Sequence, residues 1–249
     1  MPVTVEICVE GADGLVAAQE AGADRVELCA SLLEGGITPS IGMVRAALAV
    51  AQIPFHVIIR PRGGDFLYSE IEFRSMLEDV KAMKALGVAG VVIGCLTPEG
   101  TIDEARTKAL VDAAKPMKVT NHRAFDMTRD VDEAIEALVR CGVDRVLTSG
   151  QADTAEEGVP AMARAVAAAK GRIRIMACGG LNAGNIADVY RQTHVDDVHF
   201  AALKTVDGGM HYRNMGVTMG GEEADEEFTV TITDGAAVKE TIAALRTAL

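Results

Sequence analysis

Cys8 and Cys29 each close a short apolar run, VTVEIC and RVELC, at the same place in its alternation. A carboxylate stands two residues before each thiol, Glu6 in the first run and Glu27 in the second. On neighbouring strands, about 4.8 Å apart, two thiolates are close enough to share one soft ion. Sulfur ligands suit Cu(I) better than Mg²⁺ or Ca²⁺. The plainer alternative is a pair of small apolar side chains filling space. No C-x-x-C occurs, so nothing marks a zinc ribbon or a dithiol redox pair. Further along, RPRGGDF supplies Arg60, Arg62 and Asp65 with two glycines and a stiffening proline, a composition that suits an anion. NHRAFD sets His122, Arg123 and Asp126 within six residues, and an imidazole with a carboxylate is equipped for general acid–base chemistry. CGGLNAGN carries Gly179 and Gly180 ahead of an expected helix, where backbone N–H groups face an anion.

Such residues need a frame that points them at one another. Eight short runs rich in Val or Ile begin at Val3, Arg25, Phe55, Gly90, Lys118, Arg145, Arg172 and Asp197, each too short for a helix. Their starts lie 22 to 35 residues apart. Between them come Ala- and Leu-rich stretches such as GLVAAQEAG, MLEDVKAMKALG, DEAIEALVRCG and AMARAVAAAKG. Apolar residues recur there at three and four, and a glycine closes each, which reads as a helix with a glycine stop. Eight strand–helix units in 249 residues predict an α/β fold, a (β/α)8 TIM barrel forming a single domain over 1–249. An open doubly wound sheet is the rival, but the first turn, CVEGADG, lacks its G-x-G-x-x-G. An extended loop, 203–234, follows the eighth strand, with Gly208-Gly209, Gly220-Gly221, an acidic run and a strand-like TVTIT. Loops after barrel strands emerge at the functional face, so this one is a lid or a solvated acidic loop.

Side chains alternate across a strand. The side facing the helices must be apolar, which sends Val5, Ile7, Val26, Leu28, Val57 and Ile59 outward. The interior then receives Thr4, Glu6 and Cys8; Glu27 and Cys29; His56, Ile58 and Arg60; Lys118, Thr120 and His122; Arg174, Met176 and Cys178; and His199. Ordinary barrel interiors are filled by Val, Ile and Leu. Burying an unpaired ion costs several kcal/mol. These groups therefore pair as a structural Glu–Arg–His network or serve a site, and their place at strand ends favours a site.

Composition excludes other classes. Asp and Glu number 36 against 24 Lys and Arg, a net charge of −12, which argues against a nucleic-acid phosphate groove. Aromatics are 4% and Trp is absent, so base stacking is not the mode of recognition. No apolar run approaches the ~18 residues of a membrane span. The start, MPVTVEICVE, has no basic segment before an apolar one, which predicts no export signal. Five cysteines then read as reduced thiols in the cytoplasm.

The stretches EICVE, GADRVELC, LLEGGITPS, IRPRGGDFLYS, NHRAFDMTRD and VLTSGQ resemble the CutC family of copper homeostasis proteins, over a span from Glu6 to about Gly221. The resemblance implies a cytoplasmic barrel protein, with Cys8 and Cys29 at the positions of the family's proposed copper ligands. The chain departs from the family's pattern at Thr120-Asn121, at Ala177-Cys178 and at Phe200 to Lys204, where Lys204 offers a charge in place of an Arg. Two readings follow. One is a copper homeostasis protein that binds Cu(I) through Cys8 and Cys29. The other is an isomerase, lyase or hydrolase acting on a small anionic or phosphorylated metabolite. In that reading Arg60, Arg62, Gly179 and Gly180 hold the anion, with Glu6, Asp65, Arg123 and His199 also in the binding site. Glu27 or His122 is the base and Asp126 orients a donor. The expected partners are a copper ion or a small anionic ligand, neither nucleic acid nor membrane, and further copies of the chain in a homo-oligomer.

Overall fold

The computed structural model describes residues 3–219 and 225–249. Eight parallel strands close into a barrel in chain order: β1 Thr4–Glu10, β2 Arg25–Cys29, β3 Phe55–Ile58, β4 Gly90–Ile93, β5 Lys118–Asn121, β6 Arg145–Thr148, β7 Arg174–Ala177 and β8 Asp197–Phe200. Helices α1 Gly11–Glu20, α2 Ile41–Val50, α3 Glu70–Leu86, α4 Glu104–Ala114, α5 Val131–Cys141, α6 Val159–Ala169 and α7 Ile186–Thr193 link successive strands, and α8 Gly235–Arg246 completes the ring. The expected (β/α)8 barrel is the observed fold. Among the described residues, no helix is long and apolar enough to cross a membrane.

Helix ends follow local chemistry. Ser69 and Glu72 form a reciprocal capping box at the start of α3, and Asp130 caps α5 by accepting from the Glu133 N–H. Gly87 and Gly142 stop α3 and α5 in the left-handed conformation, as the sequence pattern implies. The stop of α6 comes one residue earlier than its glycine, because Lys170 itself takes the left-handed position. At α2 the cap is Ser40. The neighbouring Thr38 instead accepts from the Arg60 N–H at 2.9 Å, tying the loop after β2 to the end of β3.

Strand parity divides the core. Val5, Ile7, Val26, Leu28, Val57, Ile59, Val91 and Ile93 face outward and pack in one continuous cluster with Leu15, Met76, Leu110, Leu138 and Met162 of the helices. Each fully buried aliphatic side chain of this kind contributes about 1.5–3 kcal/mol. The apolar residues inside the barrel form only small islands, Cys8, Cys29, Ile58 and Val92 on one side and Leu147, Met176 and Cys178 on the other. The rest of the interior is polar. Lys118 is the exception to the inward reading: its side chain escapes at the rim and pairs with Asp144, 2.7 Å away.

The wall along β4 is thin. A Cβ on Gly90 would lie 2.6 Å from the His56 ring, and one on Gly94 would lie 2.4 Å from the His122 ring. Both glycines share the inward parity of Val92, so the imidazoles of β3 and β5 lean into space that side chains on β4 would otherwise fill.

The segment 203–234 contains a hairpin in which β9 Leu203–Asp207 pairs antiparallel with β10 Thr229–Thr233. Its base is fixed by the Asp234 N–H donating to the Ala202 carbonyl at 2.7 Å and by Thr233, which packs against Gly14 at the start of α1. Gly220, Gly221 and the first two residues of the acidic run, Glu222 and Glu223, lie outside the described residues.

Gly90→Ala forces the Cβ into the His56 ring and the Lys118 carbonyl. It is expected to lower unfolding free energy by about 1–3 kcal/mol, read from urea denaturation.

Candidate functional site

The register between β1 and β2 sets Cys8 opposite Glu27 and Glu10 opposite Cys29. With their common inward parity, the two thiols meet: Cys8 Sγ lies 3.5 Å from Cys29 Sγ and 3.2 Å from Glu27 Oε2. One ligand atom from each of Cys8, Glu27 and Cys29 falls within 4.8 Å of the others, and all three residues are buried. On the other flank, β1 pairs with β8 so that Glu6 faces His199. His199 Nδ1 bonds Glu6 Oε1 at 2.8 Å, and its Nε2 lies 3.7 Å from Glu27 Oε2. The far oxygen of Glu6 accepts from Arg25 Nε.

This packing sorts the protons. Burial opposes the charge of Glu6, but the His199 hydrogen bond and the Arg25 charge override it, holding the carboxyl well below its ordinary range. Burial also opposes the charge of His199. Its bonds to Cys8 and Glu6 outweigh that, keeping the imidazole protonated well above its ordinary value. The hydrogen bond from Cys29 draws Cys8 down to about 5, against burial and with help from His199. Burial and the neighbouring Cys8 push Cys29 well above the usual thiol range, and they do the same to the Glu27 carboxyl. The cluster favours the thiolate at Cys8 and the imidazolium at His199, and it favours the protonated forms of Cys29 and Glu27.

Above this cluster opens a cavity of about 310 Å³ at the C-terminal mouth of the barrel. Cys8, Glu27 and His199 line one wall; Arg60, Phe66, His122 and Arg123 line another, and Cys178, Gly179 and Gly180 a third. His122 Nδ1 accepts the Ala124 N–H at 3.1 Å, which leaves the proton on Nε2. Burial, with the Arg60 charge, lowers its pKa to about 3. His122 is thus a neutral hydrogen-bond donor, and its Nε2 is buried with no partner. That tautomer does not serve the expected role of base. Arg60 spends Nη1 on the carbonyls of Glu34 and Gly36 and Nη2 on that of Gly64. Only its Nε is left buried and unpaired.

Eight of the residues singled out from sequence line this one cavity: Glu27, Arg60, His122, Arg123, Gly179, Gly180, His199 and Cys8. Cys29 sits behind Cys8, beneath Gly36, and Glu6 lies below His199. Asp126 is placed behind the wall. It accepts from Thr148 Oγ1, the N–H groups of Ser149 and Gln151, and Arg123 Nε, so its oxygens brace the TSGQ loop and do not orient a ligand. Arg62 and Asp65 lie outside the cavity, bonded to each other, with Arg62 also held by Glu72 at 2.7 Å. Gly179 and Gly180 do not abut a helix, since α7 begins only at Ile186. Lys204 does not reach the mouth and pairs with Asp234 at 3.5 Å. No described residue of 203–234 lines the cavity. Sequence reasoning missed Arg25, Arg145 and Asp197, the buried pairs beneath the site. Extending strand parity to the first residue of each strand finds them.

The model of the CutC family matches residues 3–204. A CutC family protein from Mesorhizobium japonicum is 63% identical over 242 residues, covering 97% of this chain and 94% of its own. The human copper homeostasis protein cutC homolog is 42% identical over 230 residues, covering 92% of this chain and 84% of its own. The crystal structure of CutC from Streptococcus agalactiae superposes with a TM-score of 0.75 at 33% identity, covering 80% of this chain and 98% of that one.

The state of His122 has a pH signature. Unfolded, it takes a proton near its ordinary 6.5; folded, only near about 3. Between those values the unfolded chain binds more protons, so stability is full above the window and falls as pH drops through it. One such proton gives a slope of about 1.4 kcal/mol per pH unit. His122→Gln removes that share. The gap in unfolding free energy between wild type and variant is expected to narrow as pH falls from about 7 to about 4. A constant gap in urea titrations contradicts a buried neutral imidazole.

Proposed function

This chain belongs to the CutC family, and we propose that it is a cytoplasmic copper homeostasis protein whose Cys8 and Cys29 bind Cu(I). The supporting observation is the buried pair of thiols 3.5 Å apart, with the Glu27 carboxyl beside them. Two sulfurs in a mostly apolar pocket select a soft monovalent ion over hard divalent ones. Binding needs both sulfurs deprotonated, so it releases protons. The Cys29 hydrogen bond, helped by His199, already poises Cys8 for this, and the Cys29 proton is the one a metal displaces. Glu6 and Arg25 keep His199 in its protonated, oriented state. Copper is cargo in this reading, entering through the open mouth and held below it.

A second reading has one observation in its favour. His122 Nε2 and Arg60 Nε are buried in residues of the cavity wall and unpaired. Both are donors, and they suit a small carboxylate or phosphate compound held above the thiols. An isomerase, lyase or hydrolase built on this wall uses Glu27 as a proton donor, with Arg123 at the rim. We infer self-association from another surface. Met210, Tyr212, Met215, Val217 and Met219 are exposed beyond β9, an apolar surface of the kind a second copy covers in a homo-oligomer.

Titration of the reduced protein with Cu(I) against a competing chelator tests the first reading. Cys8→Ser and Cys29→Ser are each expected to weaken binding by at least about 100-fold. Undiminished affinity in both rejects the site. For the second, thermal shifts with phosphorylated and carboxylated small molecules are expected to vanish in His122→Ala and Arg60→Ala. Shifts that persist in both put binding elsewhere.

A further inference from the structure

The opposite end of the barrel carries a second cluster, joined to the first through Arg25. Arg25, Lys118, Arg145 and Arg174 are the first residues of β2, β5, β6 and β7, and they surround a cavity of about 610 Å³ at the N-terminal mouth. Arg25 and Arg145 are 6% and 7% exposed, so their charges are largely desolvated. Their carboxylate partners are too few. Arg25 Nε donates to Glu6, and the Nε groups of Arg145 and Arg174 both converge on Asp197 Oδ2. Arg174 Nη2 also donates to Asp197 Oδ1 at 2.6 Å. Three guanidiniums therefore meet two carboxylates, one of which is shared with His199. Among the described residues, Nη1 of Arg25, Nη2 of Arg145 and Nη1 of Arg174 make no hydrogen bond.

A fifth residue points the same way. His56 lines this cavity at 3% exposure, and its Nδ1 is buried without a partner. Buried polar groups in folded proteins are almost always paired, and a bound group satisfies the exceptions. The chain as a whole carries a net charge of −12, so this surplus of positive charge is local. We propose that the N-terminal mouth is a binding site for a small tetrahedral oxyanion, either free phosphate or the phosphate of a small ester. Guanidinium forks match the oxygens of such a group, and Arg25, Arg145 and Arg174, each with an unpaired N–H group, line the same cavity. Lys118 at the rim adds a mobile charge that can leave Asp144 for the ligand.

Calorimetric titration of the full chain with inorganic phosphate at low ionic strength tests this. Saturable binding is expected, weakened at least tenfold in Arg174→Gln and in His56→Phe and severalfold in Lys118→Ala. Lys118 is on the exposed rim, so that variant reports even if an interior one fails to fold. Glycerol phosphate provides the second arm. Binding as tight as that of inorganic phosphate assigns the site to an ester, and much weaker binding assigns it to the free ion. Absence of saturable binding to either probe overturns the proposal. So does binding that survives Lys118→Ala and Arg174→Gln unchanged yet is lost in Arg123→Ala at the other mouth.

Discussion

Glu6 is fully buried yet favours its ionised form, and two cations compensate it, Arg25 below and His199 alongside at 2.8 Å. A lone carboxylate in this position would cost several kcal/mol. The bonds from His199 to Cys8 and to Glu6 favour the protonated imidazole, and the Cys29 hydrogen bond, helped by His199, favours a thiolate at Cys8 within the barrel. Arg25 in turn reaches towards Asp197, which gathers Arg145 and Arg174. The chemistry at the upper mouth and the charge cluster at the lower one are therefore two ends of a single chain of ion pairs.

The C-terminal cavity is unequal across its width. One wall carries the Cys8 thiol and the His199 imidazole, both of which favour their charged forms. The facing wall offers His122 as a neutral donor, with the Phe66 ring 4.9 Å away and Arg60 stacked over the same ring. The proposed soft cation is assigned to the first wall, by its sulfurs.

Much of this was legible in the sequence because strand alternation is a hard geometric rule. It placed Cys8, Glu27, Cys29, Arg60, His122 and His199 inside with no other information. The rule stops where the strand stops. Arg62 is two residues beyond Arg60, and there hydrogen bonds to Glu72 and Asp65 decide its direction, so it turned away. Asp126 had the right type and neighbourhood, yet the TSGQ loop claimed its oxygens, a tertiary event with no local signal. Arg25 and Asp197 were overlooked for the opposite reason. Each opens its strand, where a charge passes for the end of a solvated loop.

The thin wall along β4 ties positions together across the barrel. His122 has its place only because residue 94 lacks a side chain, and His56 depends on residue 90 in the same way. Among descendants of this sequence, a lineage that abandons either imidazole releases its glycine to drift, while one that fills the glycine first must evict the ring. Substitutions at 90 and 56, and at 94 and 122, are therefore coupled by steric exclusion.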